Sequence, residues 1–215
     1  MFSDRTDAGI RLANALMEYK GQPAVVYALP RGGVVLGAQV ATILSIPLDL
    51  ILVRKIGHPE APEYAIGAVT EDGDIVLNPE EAQALPREWI RAAADQQFQE
   101  AQRQRDLFLR HRDRVLATGR VAILVDDGLA TGLTMEAAIS HVRKQRPVRI
   151  VLAVPVAAAE TAARLRREVD ELVALYIPFG TFRAVGSFYT NFDQVSDDEV
   201  IRLMSLGEQG LPPGA

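Results

Sequence analysis

The 215-residue chain has no cysteine. That excludes disulfides, thiolate metal sites and thiol nucleophiles together, and it suits a reducing compartment. Aromatics are few, with one Trp, five Tyr and seven Phe, and so are histidines, of which there are three. His58, His111 and His141 lie far apart without ligand spacing. Surface or capping roles are therefore expected for them rather than metal binding or general-base work, and no Ser-His-Asp arrangement is visible. Positive charge is not in excess either: 23 Lys and Arg stand against 28 Asp and Glu, a formal net charge of −5. Such a field does not draw nucleic acid or an anionic membrane, and a small-molecule ligand fits better. The most apolar stretch, residues 150–159, is too short to span a bilayer and contains Pro155. The opening MFSDRTDAG turns polar at once, without the apolar core of a secretory signal, so the cytoplasm is the expected location. Two nucleotide-binding glycine motifs are missing as well. Arg31-Gly32-Gly33 is followed by no glycine until Gly37, which is not G-x-G-x-x-G, and Gly132-Leu133-Thr134 lacks the lysine of a P-loop.

What is present is an alternation of strand and helix patterns. The length suits one α/β domain, taken as residues 1–215, with a helical insertion at about 79–118 and a small hood at about 178–195. Ala8, Leu12, Ala15, Leu16 and Tyr19 recur at helical spacing, with Asp4 or Ser3 placed to cap the start and Gly21 to end it. AVVYAL from Ala24 reads as a buried strand leading through Pro30-Arg31-Gly32-Gly33 into a helix. LDLILVRK from Leu48 reads as a second buried strand. AIGAV and DIVLN, joined by Thr70-Glu71-Asp72-Gly73, read as a hairpin. The charged segment from Pro86 to about Arg114 carries Ile90, Ala94, Phe98, Ala101 and Phe108 at near-helical spacing. VAILV from Val121, VRIVLAVPV and ELVALYI are three more strands, separated by helices near Met135–Val142 and Glu160–Val169, and the tail GEQGLPPGA is expected to fray. Strands alternating with helices imply a mainly parallel sheet covered on both faces, with ligand sites at the carboxyl ends of its strands. Loops 30–33 and 126–134 both fall there.

The second of these loops concentrates chemistry. Asp126 and Asp127 end an apolar strand, and the chain then runs Gly128-Leu129-Ala130-Thr131-Gly132-Leu133-Thr134 into a helix. Backbone N–H groups at a helix N-terminus, with glycine at the bend and threonine hydroxyls beside them, make a phosphate site. Two adjacent carboxylates can accept hydrogen bonds from paired sugar hydroxyls, or hold magnesium directly or through water. A phosphate nest beside two acids describes a sugar phosphate.

The string VAILVDDGLATGLT resembles, over its full length, the phosphoribosyl pyrophosphate binding motif of the type I phosphoribosyltransferases. The resemblance covers about residues 24–177, less clearly across 79–118. It implies the fold of that family: a central, mainly parallel sheet with helices on both faces, a hairpin, a helical insertion and a C-terminal hood. It implies transfer of 5-phosphoribosyl from phosphoribosyl pyrophosphate to a nitrogen acceptor, with Mg2+ as cofactor and release of pyrophosphate. By the same resemblance Asp126 and Asp127 contact the ribose hydroxyls and serve the metal indirectly, while Leu129, Ala130, Thr131, Gly132, Leu133 and Thr134 wrap the 5-phosphate. The loop Arg31, Gly32 and Gly33 would take pyrophosphate, often around a non-proline cis peptide, with the two glycines admitting the strained backbone. The basic strand end Arg54-Lys55 would face the same group, so that Arg31 and Lys55 meet the leaving charge. Glu63 and Tyr64 lie where family members carry a mobile loop over the site.

Departures from the family pattern bear on the acceptor. Enzymes for 6-oxopurines keep an Asp before the Thr-Gly of this loop, where the chain has Ala130, which argues against hypoxanthine and guanine. Aromatics cluster after the last strand, at Phe179, Phe182, Phe188, Tyr189 and Phe192, and Phe179 is the first candidate to stack on a planar acceptor. A non-catalytic sensor of phosphoribosyl pyrophosphate or a nucleotide is the alternative, and a homo-oligomer is left open.

Overall fold

The computed structural model describes residues 1–110 and 112–206. His111 and the tail, both considered above, lie outside the described residues. Five strands, β1 (Ala24–Ala28), β2 (Leu48–Leu50), β6 (Val121–Val125), β7 (Arg149–Val156) and β8 (Glu171–Tyr176), form one parallel sheet in the order β2-β1-β6-β7-β8. Three more, β3 (Val53–His58), β4 (Ala61–Thr70) and β5 (Ile75–Leu77), form an antiparallel sheet of their own. The central strands are apolar on both sides because both sides are covered. Val26, Ile123 and Val151 belong to the core shared with α1 (Arg5–Ala15), α2 (Gly32–Leu44) and α7 (Asp197–Leu206). Val25, Ala122 and Leu152 belong to the opposite core, with α5 (Leu133–Lys144) and α6 (Ala159–Leu165). A fully buried aliphatic side chain of this kind stabilises by about 1.5–3 kcal/mol.

The expected α/β architecture is present, and three local readings are corrected. The opening helix starts where expected, with the Asp4 carboxylate accepting from Asp7 N–H at 2.8 Å, but ends at Ala15. A separate 3-10 turn, Met17–Tyr19, carries the chain on toward Gly21 at φ +79°. LDLILVRK is not one strand. Ile51 N–H still donates to Ala28 O at 3.1 Å, but Leu52 pairs with Glu71, accepting from its N–H at 3.0 Å and donating to its carboxylate at 3.1 Å. A side chain distant in sequence thus ends the pairing with β1, and the chain enters the second sheet as β3. Glu63 and Tyr64 stand within β4 rather than in a loop, and the Tyr64 hydroxyl donates to Glu81 at 2.7 Å. The long helix is α4 (Arg87–Leu109), preceded by the short α3 (Pro79–Gln83). Ala94 of α4 packs on the second sheet with Ile56, Ile66 and Val69, whereas Ala101, Phe108 and Leu109 join the main core. The insertion is therefore a strut between the two sheets.

Candidate active site

In the strand order, the chain leaves β1 for β2 on one side, while β6 lies on the other. The crevice above the β1/β6 pair is thus the switch point where α/β sheets place their ligands. Ala28 is in register with Val125, so loops 29–33 and 126–134 leave the sheet side by side. A cavity of about 440 Å³ opens there, lined by Leu29, Pro30, Val53, Arg54, Lys55, Asp126, Asp127, the Gly128–Gly132 loop, Thr134 and Val185. Three stretches named from sequence, strand end 53–55, the acid pair and the glycine-threonine loop, converge on one space.

The acids are held firmly. Asp127 N–H donates to Asp126 Oδ1 at 2.8 Å, the Tyr189 hydroxyl donates to the Asp127 carbonyl at 2.7 Å, and Arg5 Nε donates to Asp127 Oδ2 at 2.9 Å. Burial pushes the Asp126 carboxyl well above the usual carboxylate range; the Asp127 charge adds to this, and Lys55 and Arg5 oppose it. Burial also raises Asp127, with the Arg5 guanidinium pulling it back. Two acids in so small a volume call for a cationic or hydroxyl-rich partner.

Pro30-Arg31 is a cis peptide, but Gly32 and Gly33 lie beyond it, at the start of α2, and neither has positive φ. Their smallness serves another purpose. A Cβ on Gly32 would lie 2.0 Å from Asp127 Oδ2, and one on Gly33 2.8 Å from the Val125 carbonyl. Glycine is what lets the first loop close on the acids. Arg31, half exposed, reaches Asp197 of α7 at 3.4 Å and does not line the cavity.

In the phosphate-loop candidate, Gly132 has φ +81° and precedes α5, the left-handed region that favours glycine. The loop is braced from α6: the Thr161 hydroxyl donates to Ala130 O at 2.5 Å and Arg164 to Thr131 O at 2.6 Å, while Arg164 also pairs with Glu136. Leu129 differs from its neighbours. Its N–H donates to Val156 O at 2.9 Å and its side chain is buried, so the free amides begin beyond it. Leu133 does not line the cavity, nor does the fully exposed Phe179.

The C-terminal aromatics mostly pack among themselves. Phe182 stacks on Phe188 at 5.3 Å between centroids, and Tyr189 meets Phe2 at 5.4 Å and Phe192 at 4.9 Å. His141, expected at the surface, is buried, with Nδ1 3.5 Å from Asp72 and 3.8 Å from Asp74; burial lowers its pKa. His58 accepts from the Glu60 N–H at 3.2 Å. Sequence reasoning missed Arg5, Val185 and Arg164. Nothing in the local pattern marked them, because each reaches the site from an element remote in sequence.

The family model for the phosphoribosyl transferase domain matches residues 5–180. The chain belongs to the phosphoribosyl transferase family. A protein of Mycobacterium tuberculosis named "Putative phosphoribosyl transferase" is 44% identical over 206 residues, 95% of this chain and 46% of its own length. The chain thus spans about half the length of the curated relatives it matches. The crystal structure of a Thermus thermophilus protein superposes with a TM-score of 0.80 at 42% identity, over 95% of this phosphoribosyl transferase chain and 97% of its own. A purine phosphoribosyltransferase of Pyrococcus horikoshii aligns over 82% of this chain and 91% of its own, at 20% identity and a TM-score of 0.45. That likeness is too distant to bear on the acceptor.

Proposed function

We propose that the chain binds 5-phosphoribosyl 1-pyrophosphate in the β1/β6 crevice and transfers its phosphoribosyl group to a nitrogen acceptor other than a 6-oxopurine, releasing pyrophosphate. The observation that carries this reading is the acid pair Asp126-Asp127, set between the Gly132 loop and Lys55 around one cavity. In it, the amides from Ala130 to Thr134 and the Thr131 and Thr134 hydroxyls hold the 5-phosphate at the start of α5. Asp126 and Asp127 accept hydrogen bonds from the ribose hydroxyls. The acceptor nitrogen then attacks C1 as the bond to pyrophosphate breaks through an oxocarbenium-like state, so the protein's contribution is positioning and charge stabilisation. Lys55 meets the leaving charge; Arg31 does so once it releases Asp197.

The residues fit magnesium. Two carboxylates, each with one oxygen engaged by an N–H donor, suit a cation that keeps most of its waters and takes its remaining ligands from a substrate. When bound, the ion would neutralise charge on the pyrophosphate oxygens.

The test is calorimetric titration of phosphoribosyl pyrophosphate with magnesium into the wild-type chain and Asp126→Asn. Hydrogen bonds to a charged group are worth about 1.5–3 kcal/mol, so affinity should fall about ten- to hundredfold in the variant. No binding by the wild type would overturn the reading. Binding without pyrophosphate release across a panel of nitrogen acceptors would favour a sensor over an enzyme.

A further inference from the structure

We infer that Arg5, at the start of α1, is a positioning residue for Asp127 and ties ribose binding to the placement of the 188–193 segment. The inference rests on the functional reading above, because it assigns Asp127 to the ribose. Only 12% of the Arg5 side chain is exposed, and its donors are divided between two partners. Nε donates to Asp127 Oδ2 at 2.9 Å and NH1 donates to the Asp193 carbonyl at 2.7 Å. Its guanidinium carbon lies 3.7 Å from the centre of the Phe192 ring, a cation–π contact that fixes the plane of the group. The contacts other than Asp127 thus come from one short segment.

That segment is stitched to the stretch that delivers Arg5. Phe2 N–H donates to Phe188 O at 2.8 Å, Thr190 N–H to Phe2 O at 2.8 Å, and Asn191 N–H to Ser3 O at 2.9 Å. Tyr189, from the same segment, donates its hydroxyl to the Asp127 carbonyl. Asp127 is therefore held twice by residues 188–193: through its backbone by Tyr189, and through its side chain by Arg5 seated on Phe192. The fit leaves little freedom on the other side, since a Cβ at Gly32 would lie 2.0 Å from Asp127 Oδ2 and 2.9 Å from Arg5 Nε. With Oδ2 engaged, Oδ1 is the oxygen left for a ribose hydroxyl. A planar fork is required for this arrangement. Lysine keeps the charge but cannot stack on Phe192 while donating along two fixed directions.

The test is a double-mutant cycle read by calorimetric titration of magnesium and phosphoribosyl pyrophosphate, which needs no knowledge of the acceptor. Arg5→Gln should weaken binding about ten- to hundredfold. In an Asp127→Asn background the same change should cost under about twofold, because the carboxylate it orients is gone. Arg5→Lys should recover only part of the affinity, and it carries the same cycle should Arg5→Gln fail to fold. Equal binding by wild type and Arg5→Gln, or a full loss that persists in the Asp127→Asn background, overturns the positioning role while leaving the function intact. A wild type that binds no phosphoribosyl pyrophosphate overturns the functional reading and the positioning role together.

Discussion

Gly132 combines two constraints at a single residue. Its φ of +81° lies where an L side chain costs about 1–2 kcal/mol, and a Cβ there would lie 2.7 Å from Thr161 Cγ2 and 3.2 Å from an Arg164 nitrogen. Substitution by a β-branched residue forces the loop off α6 and rotates the amides proposed to hold the 5-phosphate. Gly132→Val should stay folded by circular dichroism and lose at least tenfold in affinity for phosphoribosyl pyrophosphate by calorimetry. Unchanged affinity would remove this loop from the site. Gly132 was legible in the sequence through the resemblance of the whole string VAILVDDGLATGLT to a family motif, since two acids or a Thr-Gly step alone suit an ordinary turn. Arg5 was not, since an arginine in the first turn of an amphipathic helix is ordinary until Asp127 and Phe192 are seen around it.

Among the elements, the β4–β5 hairpin and α4 do more than decorate the sheet. Glu71, at the hairpin turn, is buried. Its carboxylate accepts from Leu52 N–H at 3.1 Å and from Arg105 of α4 at 2.8 Å, and Arg105 also reaches the Leu50 carbonyl at 3.2 Å and Asp49 at 3.4 Å. These contacts clamp the point where the chain leaves β2 for β3, two and three residues before Arg54 and Lys55. Burial pushes the Glu71 carboxyl up to about 7; Asp49 adds to this, and Arg105, Arg114 and the Leu52 amide oppose it. Between its ordinary value of 4.5 and about 7, the folded chain holds a proton that the unfolded chain has released. Stability therefore falls as pH rises through that window and levels off above it. Glutamine does not titrate, so the Tm of Glu71→Gln relative to wild type should climb from pH 5 to 7 and stay constant above. A difference independent of pH would show that Glu71 is ionised throughout. The clamp explains why LDLILVRK misled as one strand: continuous apolar character marks burial, not the sheet in which each half is buried.

For the molecule as a whole, the crevice above β1 and β6 and the family match over residues 5–180 support the phosphoribosyl transfer proposed above. The described cavity lining holds Leu29, Val53 and Val185 but no aromatic ring, and by the family resemblance Ala130 would stand where 6-oxopurine enzymes keep an acid. Without that carboxylate a purine's imidazole nitrogen has no partner from this loop to manage its proton, help typically worth about 10² to 10⁴ in rate. Guanine and hypoxanthine should therefore release pyrophosphate more slowly than the best acceptor among adenine, uracil, orotate and small amines at matched concentration. If either oxopurine is the fastest acceptor, the argument from Ala130 fails. The chain's match to about half the length of its curated relatives adds a direct comparison: the same panel run with a full-length relative.

The sequence by itself determined the sheet class, the strands that build it and the loop with the acid pair, because hydrophobic period, glycine position and adjacent charges are local properties of the chain. Through the family resemblance it also named Lys55, for the leaving charge, and Gly32, for an unusual backbone, but not the closeness of Gly32 to Asp127. Only the tertiary structure decided that β1 and β6 lie side by side and bring loops 29–33 and 126–134 together, and that Leu52 breaks a continuous apolar run. It also placed Phe179 in solvent while Val185 lines the cavity, and brought Arg5 from the first helix onto Asp127. Each of these rests on pairing between residues far apart in the chain, and side-chain type at one position carries no record of which distant partner will satisfy it.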